Sequence, residues 1–178
     1  MEENRSGRSR LADALTVCNP LGEFSAQAEN AGSAPTMANV FDVAAYILAT
    51  KGEITAWKLQ KLIYYSQAWS LIWDDKPLFR ERIEAWANGP VSPDLYREHR
   101  GAFTVAQIRQ GDPSKLDKDA RDTIDAVLHH YGDKSSQWLS DLTHREDPWR
   151  NARTGLQDGE RGQVEITLGA MADYYGRL

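Results

Sequence analysis

The sequence predicts a mainly α-helical domain: a compact bundle of about six helices around a buried central helix at residues 55–73, with a minor β-hairpin at 78–87. Three observations carry this. Apolar residues recur at helical spacing in five stretches, each opened by a residue suited to capping, and a sixth, short helix is signalled by Ser92-Pro93. The stretch after Thr55 is apolar on two opposite faces, which marks a helix with no side left for solvent. The short runs near Pro77 and Asn88-Gly89-Pro90 are too brief for helices and are bounded by turn residues.

From the amino-terminal side, Asn39 is placed to cap the first helix, with Asp42 three positions on. Val40, Val43, Ala44, Ile47 and Leu48 form its inner face, and Gly52 ends it. Thr55 caps the next helix. There Leu59, Leu62, Ile63, Trp69 and Trp73 share one face, while Trp57, Tyr64, Ala68 and Leu71 occupy the other. Asp74 to Pro77 reads as a turn. Leu78-Phe79 and Ile83 to Trp86 then read as the two arms of the hairpin, with Arg80 to Arg82 at its bend. Ser92-Pro93 opens a short helix through Tyr96 and His99, because proline suits the first helical position.

Residues 101–115 are mixed, a strand or single turn at Val105 to Ile108 followed by loop. Asp117 caps an amphipathic helix whose inner face is Ala120, Ile124, Val127, Leu128 and Tyr131, with Gly132 as a left-handed stop. Ser135 or Ser136 starts a helix bearing Trp138, Leu139 and Leu142. Gly155 to Gly162 is a polar surface loop, and Thr167 caps a last helix with Leu168, Met171, Ala172 and Tyr175 inward.

Residues 1–36 stand apart. They hold a single aromatic residue, Phe24, whereas all the tryptophans and tyrosines lie beyond them. Their helical patch at Leu11, Leu15 and Cys18 is too short to be stable alone, so the segment is read as a disordered extension before a domain at 37–178. Met37 is an alternative start. Arg5, Arg8 and Arg10 are followed by no apolar run of signal-peptide length.

The chain has 178 residues, a net charge of −5 and one cysteine. Its longest apolar run, Val43 to Ala49, is far short of the roughly 20 residues that span a bilayer, so no membrane association is expected. A lone cysteine makes neither an intrachain disulfide nor a thiolate zinc site, which points to a reduced cytosol. The acidic balance disfavours nonspecific binding to nucleic acid.

Catalytic signatures are missing. There is no phosphate loop, dinucleotide fingerprint, nucleophile elbow or zinc-binding His-Glu-x-x-His, and neither cofactor nor metal is called for, so a non-enzyme is expected. His129 and His130 lie about 100° apart on their helix and read as solvated residues near its end, unsuited to one metal. His99 reads the same way. His144 precedes Glu146, Asp147, Pro148 and Trp149; its imidazole is placed to bond the last carbonyls of its helix while Pro148 and Trp149 fold back on the core. A hydrolase centred on His144 with Glu146 or Asp147 is the least supported function. Tryptophan and tyrosine anchor interfaces, and Trp57, Trp73, Trp86, Tyr96 and Trp149 exceed what a domain this small can bury. Gly89-Pro90 beside Trp86 reads first as a structural corner that packs Trp86 on the long helix and second as a recognition loop, and both can hold; the expected binding surface is the corner Trp86, Gly89, Pro90, Val91 and Tyr96, together with His144 and Trp149.

Several ordered pieces then resemble one known family. Val43-Ala44-x-Tyr46-Ile47, Lys58-Leu59-Gln60-Lys61-Leu62-x-Tyr64-x-Ser66-Gln67-x-Trp69, Pro77-Leu78-Phe79, Ile83-Glu84-Ala85-Trp86-x-x-Gly89-Pro90-Val91, Tyr96 and His144-x-x-x-Pro148-Trp149 are similar to the Panacea, or SocA-like antitoxin, domain. The resemblance runs from about Met37 to Leu178. It implies a bacterial antitoxin with a cognate protein toxin, SocB-like, and an adaptor role that presents the toxin to the ClpXP protease through ClpX. Direct occlusion of the toxin is one alternative. DNA-binding autoregulation through a helix-turn-helix at Pro93 is another, though Glu84, Asp94 and Glu98 offset Arg97, His99 and Arg100 there. Oligomeric state is not implied.

Overall fold

The computed structural model describes residues 37–178; the predicted amino-terminal extension, its Leu11 to Cys18 patch and the first 36 residues as a whole lie outside the described residues. The elements run α1 (Val40–Lys51), β1 (Ile54–Thr55), α2 (Ala56–Trp73), β2 (Glu84–Trp86), β3 (Gly89–Val91), α3 (Pro93–His99), β4 (Thr104–Val105), a 3-10 turn (Pro113–Lys115), α4 (Lys118–Tyr131), α5 (Ser136–Thr143), α6 (Asp147–Ala152) and α7 (Leu168–Tyr175). The fold is mainly α with two small antiparallel strand pairs, as the periodicity predicts. Of the seven α-helices among the described residues, α6 is the one the sequence reading lacks. At six residues it is too short to show a period, and its start on Asp147-Pro148 reads equally well as the end of a preceding segment.

Caps form where the residue chemistry dictates. Asn39 Oδ1 accepts from the N–H groups of Phe41 and Asp42, and Asp42 Oδ2 accepts from Asn39 N–H, closing the capping box of α1. Thr55, Asp117, Ser135 and Thr167 each accept a backbone N–H from the first turn of the helix they open. Gly52 ends α1 at φ 75°, a conformation that costs glycine little. Gly132, expected as a left-handed stop, is right-handed at φ −61°: the chain leaves α4 through a turn closed by Lys134 N–H to Tyr131 O.

Helix α2 is the axis. From Leu59 to Ser70 every residue is buried, as its two apolar faces predict, and α1, α4, α5 and α7 all pack against it. Tyr65 stacks on Tyr131 of α4 with ring centroids 4.3 Å apart, and Tyr64, Tyr65 and Trp69 meet Tyr175 of α7 edge-on. Leu168, expected inward on α7, is exposed instead, leaving Met171 and Tyr175 to fill the core.

Most polar residues of α2 are buried too: Gln60, Lys61, Gln67 and Ser70 bond to backbone outside the helix, while Ser66 Oγ has no partner among the described residues. Gln67 accepts from the N–H groups of Leu78 and Phe79 and donates to Phe79 O. This corrects the predicted hairpin. Residues 78–79 have their hydrogen bonds satisfied by a side chain, so they do not pair as a strand. The arm Glu84–Trp86 pairs forward instead, Glu84 with Val91, Ala85 with Pro90 and Trp86 with Gly89. The other edge of β2 is covered by residues 164–166, through Ala85 N–H to Val164 O and Ile166 N–H to Ile83 O. Strands β1 and β4 form the second pair, Ile54 with Val105 and Thr55 with Thr104, so the strand meets the predicted Val105 to Ile108 stretch only at Val105.

Substituting Gln67→Met should lower unfolding free energy by about 3 kcal/mol in urea titration, because the buried amide groups at 78–79 lose their partner. A loss under about 1 kcal/mol would mean that the 78–79 segment does not depend on this side chain.

Candidate functional site

The β2–β3 hairpin and the start of α3 form a corner pinned from behind by α2. Gln60 Oε1 accepts from Ser92 N–H at 2.8 Å, and Gln60 Nε2 lies 2.9 Å from His99 Nε2. Lys61 Nζ donates to Pro90 O at 3.3 Å. Gly89 sits at φ 107° with its α-carbon pressed against the lysine: a Cβ there would lie 2.5 Å from Lys61 Cε and 2.9 Å from Thr143 Oγ1. From the other side, Ser140 Oγ donates to Asn88 O, Trp149 Nε1 to Trp86 O, and Arg153 Nη1 to Ala85 O. The corner's backbone is thus held by five side chains drawn from α2, α5, α6 and the residue after α6.

These bonds bring the expected binding residues together, in two classes. Gly89, Pro90 and Val91 are buried and form the frame. Trp86, Tyr96, His144 and Trp149 are half-buried and present ring surface. Trp86 meets Tyr96 edge-on at 4.8 Å, and Tyr96 meets His99 at 5.6 Å. Around the hairpin, His144 lies flat on Trp149 with ring centroids 4.0 Å apart. The imidazole therefore stacks instead of bonding the last carbonyls of α5, and its Nε2 is buried without a hydrogen-bond partner among the described residues. Burial, reinforced by the nearby Lys61, lowers its pKa below the ordinary imidazole value. Pro148 is buried and Trp149 packs on the core, as expected.

Two other expectations need correction. His99, read as a solvated helix end, is buried against Gln60, and desolvation lowers its pKa; as the last residue of α3 it lies one turn beyond Tyr96, on the side of the helix that faces α2. His129 is exposed and His130 half-buried, in line with their reading. The element before α3 is a hairpin, so Pro93–His99 is not the second helix of a helix-turn-helix.

Tyr96 is a ridge between two clefts. On one side Ala56, Trp57, Gln60, His99 and Phe103 line a mainly apolar cleft of about 310 Å³. Phe103 is 78% exposed and Trp57 37% exposed, so the rim presents uncovered aromatic surface. On the other side a polar cleft of about 600 Å³ runs past Trp86 and is lined by Arg82, Arg97, Arg100 and Arg161. Arg161 lies over the Trp86 ring, 5.9 Å from its centroid.

Glu146 does not join His144. Its carboxylate is buried and accepts from Tyr175 Oη at 2.7 Å and Tyr65 Oη at 3.1 Å, linking the α5–α6 junction to α2 and α7. Burial pushes its pKa up to about 7, against the lowering effect of the two hydroxyl donors and Arg145. Lys61, fully buried with a carbonyl as its hydrogen-bond partner, is pushed down to about 7 by desolvation. The sequence reading weighed Glu146 only as a partner of His144 and gave Lys61 no role, although a lysine on a helix apolar on two faces was a usable signal. No group of three or more potential metal ligands occurs among the described residues, and no helix there is long and apolar enough to cross a membrane.

The family described as "Antitoxin SocA-like, Panacea domain" matches residues 59–150, just over half of the chain, from within α2 to within α6. The chain belongs to the SocA-like antitoxin family. The matched segment contains the whole hairpin corner with Tyr96, His144 and Trp149, while α1 and α7 lie outside it and pack on it. No curated protein and no solved structure matches the chain.

The two buried ionisable groups set a pH dependence of stability. The folded state holds Glu146 protonated above the usual 4.5, so its contribution is full below that value and lost as pH rises to about 7. It holds Lys61 neutral below the usual 10.5, so that contribution is full above 10.5 and lost as pH falls to about 7. Together they place a stability minimum near neutrality, with limbs on the order of 1 kcal/mol per pH unit. Urea titrations at about pH 5, 7 and 9 should show it, with Glu146→Gln flattening the acid limb and Lys61→Met the alkaline one.

Proposed function

We propose that this chain is the antitoxin of a bacterial toxin–antitoxin pair, that it binds its cognate toxin, SocB-like in kind, through the aromatic corner, and that it presents the toxin to the ClpXP protease as an adaptor. Family membership supports the antitoxin role. The observation that carries the choice of surface is the row of ring faces at Trp86, Tyr96, His144 and Trp149, half-exposed on a backbone frame that is bonded throughout. Rigid aromatic anchors on a preformed scaffold lose little conformational freedom on binding, which is what a protein-recognition surface requires. Gly89, Pro90 and Val91 act in the same surface by shaping it. Residues 37–178 form the domain that does this work, and residues 1–36 serve as a tether that holds the delivered toxin near the protease.

Co-expression with the product of the neighbouring gene should yield a complex that co-purifies. Trp86→Ala and Tyr96→Ala should each weaken it by about 2 kcal/mol or more while leaving the circular dichroism spectrum unchanged; full affinity in both variants would remove the corner from the interface. In cells lacking ClpX an adaptor fails to protect, whereas an antitoxin that only occludes its toxin still protects. Deleting residues 2–36 should slow toxin turnover by ClpXP in vitro, and unchanged turnover would deny the tether its role.

A further inference from the structure

The arginine-lined cleft beside Trp86 is left unexplained by the fold. Arg82 is paired with Glu84 at 2.9 Å and Arg97 with Asp94. Glu84, the one carboxylate in the lining, is already committed, since it also accepts from Trp86 Nε1 at 2.8 Å. Arg100 and Arg161 are exposed and have no acidic partner among the described residues. A chain of net charge −5 therefore carries, next to its aromatic ridge, a concave patch with two uncompensated guanidinium groups. One of them, Arg161, lies over the Trp86 indole ring.

We infer that this cleft binds a short acidic segment of the partner polypeptide, with carboxylates on Arg100 and Arg161 and a neighbouring apolar side chain against Trp86 and Tyr96. The inference rests on the toxin-binding reading of the corner and adds the chemistry of what docks there. Guanidinium groups recognise carboxylates through paired N–H donors, and a desolvated ion pair of this kind sets specificity and association rate. An extended polyanion is the poorer occupant. Nucleic acid draws its affinity from many phosphates contacted along a continuous basic face, whereas here four arginines line one cleft, two of them paired with carboxylates, in a chain that is acidic overall.

The test uses the full chain and a blocked hexapeptide of five glutamates and one leucine, followed by the Trp86 indole resonance in NMR. The resonance should shift saturably. Affinity should fall by about tenfold or more in Arg100→Glu/Arg161→Glu, which alters exposed residues alone. It should also fall as salt rises from about 0.1 M to about 1 M, which shortens the screening length from about 10 Å to about 3 Å. The five-lysine counterpart should give no shift. Absence of a shift with the acidic peptide, or equal affinity in the double variant, overturns the inference. Tighter saturation by inorganic phosphate or by a six-nucleotide oligothymidylate overturns the polypeptide as occupant. The two readings fail separately: if the wild-type chain captures the neighbouring gene product and the double variant captures it equally well, the cleft is not where the toxin docks, while the antitoxin role stands. If the wild-type chain captures nothing, the toxin reading fails, and the peptide titration still decides the cleft.

Discussion

Everything in this fold depends on the burial of α2 on all sides. A helix without a solvent face must still carry some polar side chains, and each of them then needs a partner inside the protein, since an unmade bond there costs about 1–3 kcal/mol. Gln60, Lys61, Gln67 and Ser70 find those partners on backbone outside the helix, at Ser92, Pro90, residues 78–79 and Lys76, whereas Ser66 Oγ stays without one among the described residues. The central helix acts as a jig. Residues with no regular secondary structure, which would otherwise be the mobile parts, are fixed by single side chains projecting from the most rigid element.

The same sealing forces two ionisable groups into an apolar interior. Glu146 is tolerated because two tyrosine hydroxyls donate to it, and Lys61 because Pro90 O accepts from it; neither has a charged partner in hydrogen-bonding contact. In both cases burial opposes the charged form, so near neutrality each sits close to its midpoint. Both groups reach the corner's supports. Lys61 holds Pro90 directly and packs against Gly89, while Glu146 anchors the junction between the helices that bring His144 and Trp149.

A division of labour follows at the site. Backbone groups of the hairpin are consumed by bonds from behind, and the rings of Trp86, Tyr96, His144 and Trp149 remain half-open in front. For the binding proposed above such a surface is preorganised: association does not have to order it, so more of the contact energy appears as affinity. The two clefts flanking Tyr96 differ in character, apolar toward Phe103 and basic toward Arg161, which gives one surface both a hydrophobic and an electrostatic component.

Sequence pattern alone determined the helical class, the caps at Asn39, Thr55, Asp117 and Thr167, a further cap at Ser135 or its neighbour Ser136, the central position of residues 55–73, and the aromatic residues that make up the corner. These are local properties: a cap is set within four residues, and an inner face by the helical repeat. Tertiary structure alone decided which way residues 84–86 pair, that His99 is buried, that His144 stacks on Trp149, and that Glu146 joins the tyrosines instead of His144. It also decided that Arg82 and Arg161, 79 positions apart in the numbering, share one cleft with Arg97 and Arg100. Each of these turns on partners distant along the chain. The periodicity that marks a helix says which face is buried and is blind to which loop the buried polar groups will bond, because that partner exists only once the chain has closed around α2.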